Sequence, residues 1–305
     1  MSFLQKLKEI YFPKSKSFHV NYKVVLVNIS SDKVKTNLVI PIPPNLSYQK
    51  IDPVFDISPE KYTQGKEPKY GNHYIWWEVE LGSNETKTYS LSFSAQVSYP
   101  SLNLKPDFLI TDYQKIDPVY LESNEYINPN HPQIKTLLGT ITQGESALIK
   151  VIQKLNAYVV SQLSYGDPIT GLYKLEDVLI KDKVDCGGFD VLLCSLCRAA
   201  GIPCTIVSGF WAGYTPNNMH AWVLIQLPDN HWVVADPSIE YLRKHGRSKK
   251  SGRLFKIGND RIALSLGEKL CLSIDGSDQV VGILQNPLLF PSNSAIEVIS
   301  EFQTR

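Results

Sequence analysis

The stretch that decides the fold runs Lys183-Val184-Asp185-Cys186-Gly187-Gly188-Phe189-Asp190-Val191-Leu192-Leu193-Cys194-Ser195-Leu196-Cys197-Arg198-Ala199-Ala200-Gly201-Ile202-Pro203. Phe189, Leu192, Leu193, Leu196, Cys197 and Ala200 recur at three- and four-residue intervals, which predicts a helix with one buried stripe. Asp185 is a natural N-cap, because its carboxylate can accept from the unpaired N–H groups of the first turn. At the other end Arg198 favours the last turn, Gly201 the left-handed cap, Ile202 its apolar contact and Pro203 the stop. Three residues back from Phe189 the stripe reaches Cys186. The thiol is therefore expected in the first turn on the buried face, with Gly187 and Gly188 leaving room for another backbone to approach.

A cysteine at a helix N-terminus meets the positive end of the macrodipole, which favours thiolate and, later, an oxyanion. The adjacent Asp185 carboxylate opposes that ionisation. Taken alone, Cys186 reads either as a nucleophile or as a buried structural cysteine, the reading given to Cys194, Cys197 and Cys204.

The segment from Met219 to Pro237 bears on that choice. It alternates as a β-hairpin, with His220, Trp222 and Leu224 on one face of the first strand and Trp232, Val234 and Asp236 on one face of the second. A tip centred on Pro228 sets His220 directly opposite Asp236. One centred on Asp229 makes them diagonal neighbours on the same face, and a two-residue Asp229-Asn230 turn would separate them. Side chains opposed on one face lie about 5 Å apart at Cβ, within reach of an imidazole–carboxylate hydrogen bond. A thiol across from such a pair completes a nucleophile, base and orienter. The same three residue types could instead bind zinc, but they lack the short paired spacing of such sites.

Tyr165, Asp185-Cys186, Leu196-Cys197-Arg198-Ala199-Ala200-Gly201-Ile202-Pro203, Gly209-Phe210-Trp211, His220-Ala221-Trp222-Val223 and Trp232-Val233-Val234-Ala235-Asp236-Pro237 together resemble the transglutaminase-like superfamily, whose core is papain-like. The resemblance implies Cys186 as nucleophile, His220 as base and acid, and Asp236 as the residue that holds the imidazole. It also implies the Cys186 backbone N–H and the Tyr165 hydroxyl as oxyanion donors. Strands on both sides of the core are similar to microbial members. Animal transglutaminases carry a tryptophan after the nucleophile and an upstream indole; here Gly187 follows Cys186, and no tryptophan lies between Trp77 and Trp211. The resemblance therefore points to cleavage of amide bonds in a peptide or protein through a thioester, by a peptidase or amidase. A protein-glutamine transglutaminase and a non-catalytic peptide- or partner-binding module are the alternatives. No calcium-loop pattern of acidic residues occurs, and no metal or cofactor is expected.

Outward from this core, residues 17–99 show strand periodicity: Phe18, Val20, Tyr22, Val24 and Leu26; Leu38, Ile40 and Ile42; Trp77, Val79 and Leu81; Tyr89, Leu91, Phe93, Ala95 and Val97. With turn residues between them they predict an antiparallel β-sandwich. Prolines 100, 106, 118, 129 and 132 mark a linker or long ordered crossover. Helices follow on the stripe Leu148, Ile149, Ile152, Leu155, Val159 and Leu163 and over residues 175–180. Alternation around Gly258, Gly267, Gly276 and Gly282 predicts closing strands. The expected class is α+β: a sandwich domain over residues 1–105, the catalytic core over 106–250 and a C-terminal β segment over 251–305 packed on the core. Phe3, Leu4, Leu7, Ile10 and Tyr11 suggest a short amphipathic helix before the sandwich.

The chain has 305 residues with 31 basic and 30 acidic side chains, so the bulk charge of a nucleic-acid binder is missing. Its longest basic run, within residues 243–253, reads as a solvated loop. Five cysteines form no disulfide ladder, no signal-peptide apolar region opens the chain and no apolar run approaches the roughly 18 residues of a membrane span. A cytoplasmic location is the resulting expectation.

Overall fold

The computed structural model describes residues 14–100, 104 and 108–305. The short helix expected near the start lies outside the described residues.

Strands β1 (Ser15–Asn28), β2 (Val34–Ile42), β3 (Gln49–Ile51), β4 (Asp56–Ser58), β5 (Thr63–Lys66), β6 (His73–Leu81) and β7 (Thr86–Ser98) build two antiparallel sheets face to face. The alternation read from sequence sets their inner faces. Val20 pairs with Phe93, Tyr22 with Leu91 and Val24 with Tyr89, while Leu38 pairs with Trp77 and Ile40 with Ile75. All ten side chains are buried, and each large apolar group removed from water stabilises the fold by about 1.5–3 kcal/mol.

The crossover that follows is ordered where it is described. Short 3-10 turns form at Ile110–Asp112 and Pro118–Leu121. The Tyr113 hydroxyl donates to the Gln226 carbonyl at 2.7 Å, and the Tyr120 ring meets Trp232 edge-on at 4.8 Å. Helix α1 (Pro132–Thr142) is an addition to the sequence reading. Pro132, taken there as linker punctuation, is a first-turn proline, and the His131 side chain caps the helix by accepting from the Gln133 N–H. Ile134, Leu137, Leu138 and Ile141 form its inward stripe.

The core continues through α2 (Leu148–Gln162), β8 (Ser164–Tyr165), α3 (Leu175–Ile180), β9 (Lys183–Val184), α4 (Cys186–Ala199), β10 (Cys204–Trp211), β11 (Met219–Gln226), β12 (Trp232–Ala235), α5 (Pro237–Lys244), β13 (Gly252–Arg253), β14 (Lys256–Ile257) and β15 (Arg261–Leu266). Its antiparallel sheet has the order β12-β11-β10-β15. Because side chains alternate along β11, Ala221, Val223 and Ile225 pack under the helices and Trp222 and Leu224 join the core of the sandwich. The sheet thus lies between a helical layer and the sandwich, and its strand ends carry polar groups from both sides.

Strands β16 (Leu270–Ile274) and β17 (Ser277–Val281) form a hairpin, and β18 (Leu288–Phe290) and β19 (Ile296–Thr304) end the chain. The segment after residue 251 divides. Strand β15 pairs with β10 in the core, whereas β18 pairs with β2 and β19 pairs with β1 from Val20↔Thr304 to Asn28↔Ile296. The last strands therefore complete the N-terminal sandwich and satisfy the backbone groups along one side of β1. Phe302 stacks between Tyr22 and Phe210, each centroid 3.9 Å away, which ties the sandwich to the core sheet.

Candidate active site

Helix α4 begins and ends where the sequence predicts. The Asp185 carboxylate accepts from the Gly188 N–H at 3.3 Å and, through its other oxygen, from the Ile169 N–H at 3.1 Å. At the far end the Ile202 N–H bonds to the Cys197 carbonyl and the Gly201 N–H to that of Arg198, a Schellman closure. The glycines beside Cys186 differ from expectation in what they admit. It is the Val184 side chain, not another backbone, that crowds Gly188; a Cβ there would stand 2.5 Å from Val184 Cβ. Arg198, expected to act as a last-turn charge, is buried and donates to both oxygens of the buried Glu268, at 2.7 and 3.1 Å.

Cys186 is the first residue of α4, and its half-buried thiol receives the Ala221 backbone N–H. His220 precedes Ala221 on β11, so helix and sheet bring thiol and imidazole to neighbouring positions. Among the described residues no hydrogen bond joins Cys186 to the ring. Tyr165 arrives by a separate route. Strand β8 runs parallel to β9 with Tyr165 opposite Val184, which sets the ring beside Phe189 at 6.3 Å and within the electrostatic reach of Cys186 and Asp185.

The hairpin takes the diagonal register. Val223 pairs with Ala235 and Leu224 with Val234, the tip being centred on Asp229 rather than Pro228. Asn230 adopts a positive φ of 66° within that turn. Asp236 then leaves the sheet as the N-cap of α5, its Oδ1 accepting from the Ile239 N–H at 3.0 Å and the Ser238 hydroxyl at 3.1 Å. Its Oδ2 lies 2.9 Å from His220 Nε2. The Asp-Pro pair at a helix start was a readable capping signal, and it explains why this carboxylate is rigid.

Sequence reasoning quoted Trp211 and Trp222 without a role and passed over the other groups that surround this pair. The fully buried Arg261 donates from Nη1 to Asp236 Oδ2 at 2.5 Å, from Nη2 to the Ser251 carbonyl and from Nε to Asp260 at 3.3 Å. Its guanidinium lies 4.2 Å from the Trp211 ring centroid and 5.6 Å from that of Trp222. The imidazole stacks on Trp211 at 4.4 Å, with Trp222 at 6.1 Å. Trp222 Nε1 donates to the Tyr48 hydroxyl of the sandwich at 3.0 Å. Gln285 Nε2 binds the carbonyls of Gly209 and His220 at 2.7 and 2.9 Å. The one local signal was an arginine opening the apolar run Arg261-Ile262-Ala263-Leu264, since a cation in a buried strand demands an anionic partner.

These neighbours decide the protonation states. Burial would raise the Asp236 carboxyl, but His220, Arg261 and the Ile239 N–H outweigh it and hold the acid at about 2. Burial lowers the His220 pKa below its ordinary 6.5; Asp236 opposes this, and Arg261 and Lys250 add to it. Burial followed by Asp185 and Asp190 pushes the Cys186 thiol well above 9.0, although the Ala221 N–H pulls the other way. The conflict read from sequence between helix terminus and carboxylates thus resolves toward a neutral thiol. Burial, Asp236 and Asp185 likewise push the Asp190 carboxyl, one turn along α4, well above the ordinary carboxylate range. Tyr165 is raised chiefly by burial and then by Cys186, so its hydroxyl keeps its proton and can donate.

Among the described residues no group of three or more His, Cys, Asp or Glu is arranged to hold a metal ion, and no helix is long and apolar enough to cross a membrane. All five cysteines are unpaired.

Residues 135–237 match the model of the transglutaminase-like superfamily. The helices and antiparallel sheet there are the papain-like arrangement. The solved structure of a candidate cysteine protease from Cytophaga hutchinsonii is 14% identical and superposes with a TM-score of 0.63 over 95% of this chain and 91% of its own, a likeness of fold that includes the strands outside the core. The periplasmic domain of TgpA from Pseudomonas aeruginosa is 15% identical, with 76% of this chain and 90% of that domain covered at a TM-score of 0.38. A search of curated protein sequences finds no match.

Proposed function

We propose that this chain is a cysteine-dependent peptidase or amidase in which Cys186, His220 and Asp236 act as nucleophile, base and orienter. The observation that carries the reading is the 2.9 Å contact of His220 Nε2 with an ionised, fully buried Asp236 beside the thiol that opens α4. Because that carboxylate is ionised, Nε2 is assigned as the protonated nitrogen, which leaves the Nδ1 lone pair to accept the thiol proton.

With thiol and imidazole both neutral at rest, proton transfer accompanies attack. Cys186 Sγ bonds to the amide carbon while its proton passes to His220; the imidazolium then protonates the departing amine, leaving a thioester. Water, deprotonated by the now neutral imidazole, releases the acid and restores the thiol. The orphan backbone N–H of Cys186 and the protonated Tyr165 hydroxyl serve the developing oxyanion. Asp236, fixed by its cap and by Arg261, keeps the ring in one tautomer and stabilises the imidazolium.

The test is to incubate wild type and Cys186→Ala with a diverse peptide library, with and without added amine, and to read products by mass spectrometry. New termini formed only by wild type support hydrolysis. Amine adducts in place of new termini would make the enzyme an acyltransferase, and product formation by Cys186→Ala would sink the mechanism.

A further inference from the structure

Residues 243–256 hold seven lysines and arginines and no acidic residue, whereas 24 basic residues face 30 acidic ones in the rest of the chain. This concentrated charge was read from sequence as a solvated loop, but it straps the site described above. At its centre Arg247 donates to the Tyr165 carbonyl at 3.2 Å, with its guanidinium 5.9 Å from that ring. Further on, Lys250 Nζ lies 4.3 Å from the centroid of Trp211, the indole stacked on His220. The backbone then passes directly behind the pair, since a Cβ on Gly252 would meet Asp236 Oδ2 at 2.7 Å. Beyond it a cavity of about 190 Å³ is lined by Arg243, Ser251, Gly252, Arg253 and Lys256.

The strap's charge is largely unspent. Lys244 pairs with Glu240 at 3.0 Å, and Arg243 donates to the Lys250 carbonyl. Asp260, the carboxylate facing Lys250, is already engaged by Arg261 Nε and the Tyr214 hydroxyl. Arg247, Arg253 and Lys256 are exposed and have no carboxylate partner among the described residues.

We propose that this strap selects peptides bearing a carboxylate, on a side chain or at the C-terminus, within a few residues of the scissile amide; the cleavage part of this statement rests on the peptidase reading. Cations lying against Tyr165 and Trp211 and around the cavity beyond Gly252 raise the local concentration of anionic substrate and orient it by charge-assisted hydrogen bonds. The cavity is large enough to admit a carboxylate-bearing side chain or chain end. Trp211 is buried, which removes the open aromatic face that single-stranded nucleic acid would need for stacking.

Matched fluorescein-labelled peptide pools provide the test: central Glu against central Gln, each with a free or an amidated C-terminus. Turnover by wild type is read by mass spectrometry and binding to Cys186→Ser by anisotropy. The Glu pool is expected to exceed the Gln pool about tenfold in kcat/KM and in affinity at low salt, two exposed charge contacts being enough for that ratio. The advantage should shrink as salt rises. A free C-terminus substituting for Glu assigns the site to the terminal carboxylate, and dependence on Glu alone assigns it to the side chain. In Arg253→Glu/Lys256→Glu, and separately in Arg247→Gln, the Glu-to-Gln ratio should fall toward one while the thermal unfolding transition persists.

Equal handling of the pools by wild type, or a ratio unchanged in both variants, overturns the strap's role and leaves the peptidase reading intact. Acid-selective binding without any turnover overturns the peptidase reading and leaves the ligand class intact. A single-stranded DNA oligonucleotide that displaces the Glu pool from Cys186→Ser at lower concentration than unlabelled Glu peptide would overturn the assignment in favour of nucleic acid.

Discussion

Arg198 and Arg261 are both buried and both bind a buried carboxylate, yet they do different work. Arg198 grips Glu268 through two nitrogens and spends its remaining donors on the carbonyls of Cys204 and Glu122, while Asn124 occupies Glu268 from the other side. Every group in that knot bonds to scaffold. Arg261 instead shares an Asp236 oxygen with the His220 imidazole and lies against the two indoles that flank the ring. On the proposed mechanism the same pairing of residue types is structural where its partners are saturated and chemical where one oxygen also serves a titrating group. Neither burial nor ion-pair distance separates the two cases; the third partner does.

That contrast can be broken first at the carboxylates. Asp236→Asn should retain the fold, since asparagine also caps a helix, and lose about 10⁴-fold in kcat through a misplaced tautomer. Glu268→Gln should do the reverse, costing about 3–5 kcal/mol by leaving a buried guanidinium uncompensated while activity per folded molecule persists. Chemical denaturation alongside active-site-normalised kinetics decides between them. Equal kinetic losses in both variants would erase the distinction.

The contrast sharpens at Arg261. Its cation helps to depress the His220 pKa, so Arg261→Met should move the acid limb of kcat/KM upward, and Arg261→Lys should restore part of the shift. A variant that merely loosened the fold would lower the rate without moving the limb.

In wild type, kcat/KM should rise with a midpoint below 6.5, where the imidazole loses its proton, and stay level until the thiol begins to ionise above 9.0. Stability has its own window. His220 has a depressed folded pKa, so the unfolded chain takes up its proton first and stability falls as pH drops from 6.5; Asp236 adds a loss from 3.8 toward about 2. An alkylation rate at Cys186 that held constant into the acid range would show a resting thiolate and contradict this order of ionisation. The smallest effect is expected from Trp222→Phe, which loses the bond to Tyr48 and about 1 kcal/mol of stability.

How far these features could be read from sequence depends on how local their causes are. The limits of α4 follow from Asp185, Gly201 and Pro203 alone, and the common face of His220 and Asp236 follows from strand alternation. The register of their hairpin depends on the left-handed Asn230, and hydrophobic pattern cannot choose among turns of similar length. Helix α1 was legible in Pro132 and its apolar spacing, but the proline was assigned to a linker. The pairing of β19 with β1 had no local signature, and the apolar run behind Arg261 signalled its burial without naming its partners, because each depends on residues far away in the chain. For Arg261 those partners are Asp236 and the two indoles.

The most direct test of the central claim is to quench wild type with acid during turnover of the peptide library and map covalent adducts by mass spectrometry. The account predicts an acyl group on Cys186, absent when Cys186 is replaced by alanine and accumulating when release of the acid is slowed. Steady turnover with Cys186 unmodified, or an adduct on another residue, would contradict it.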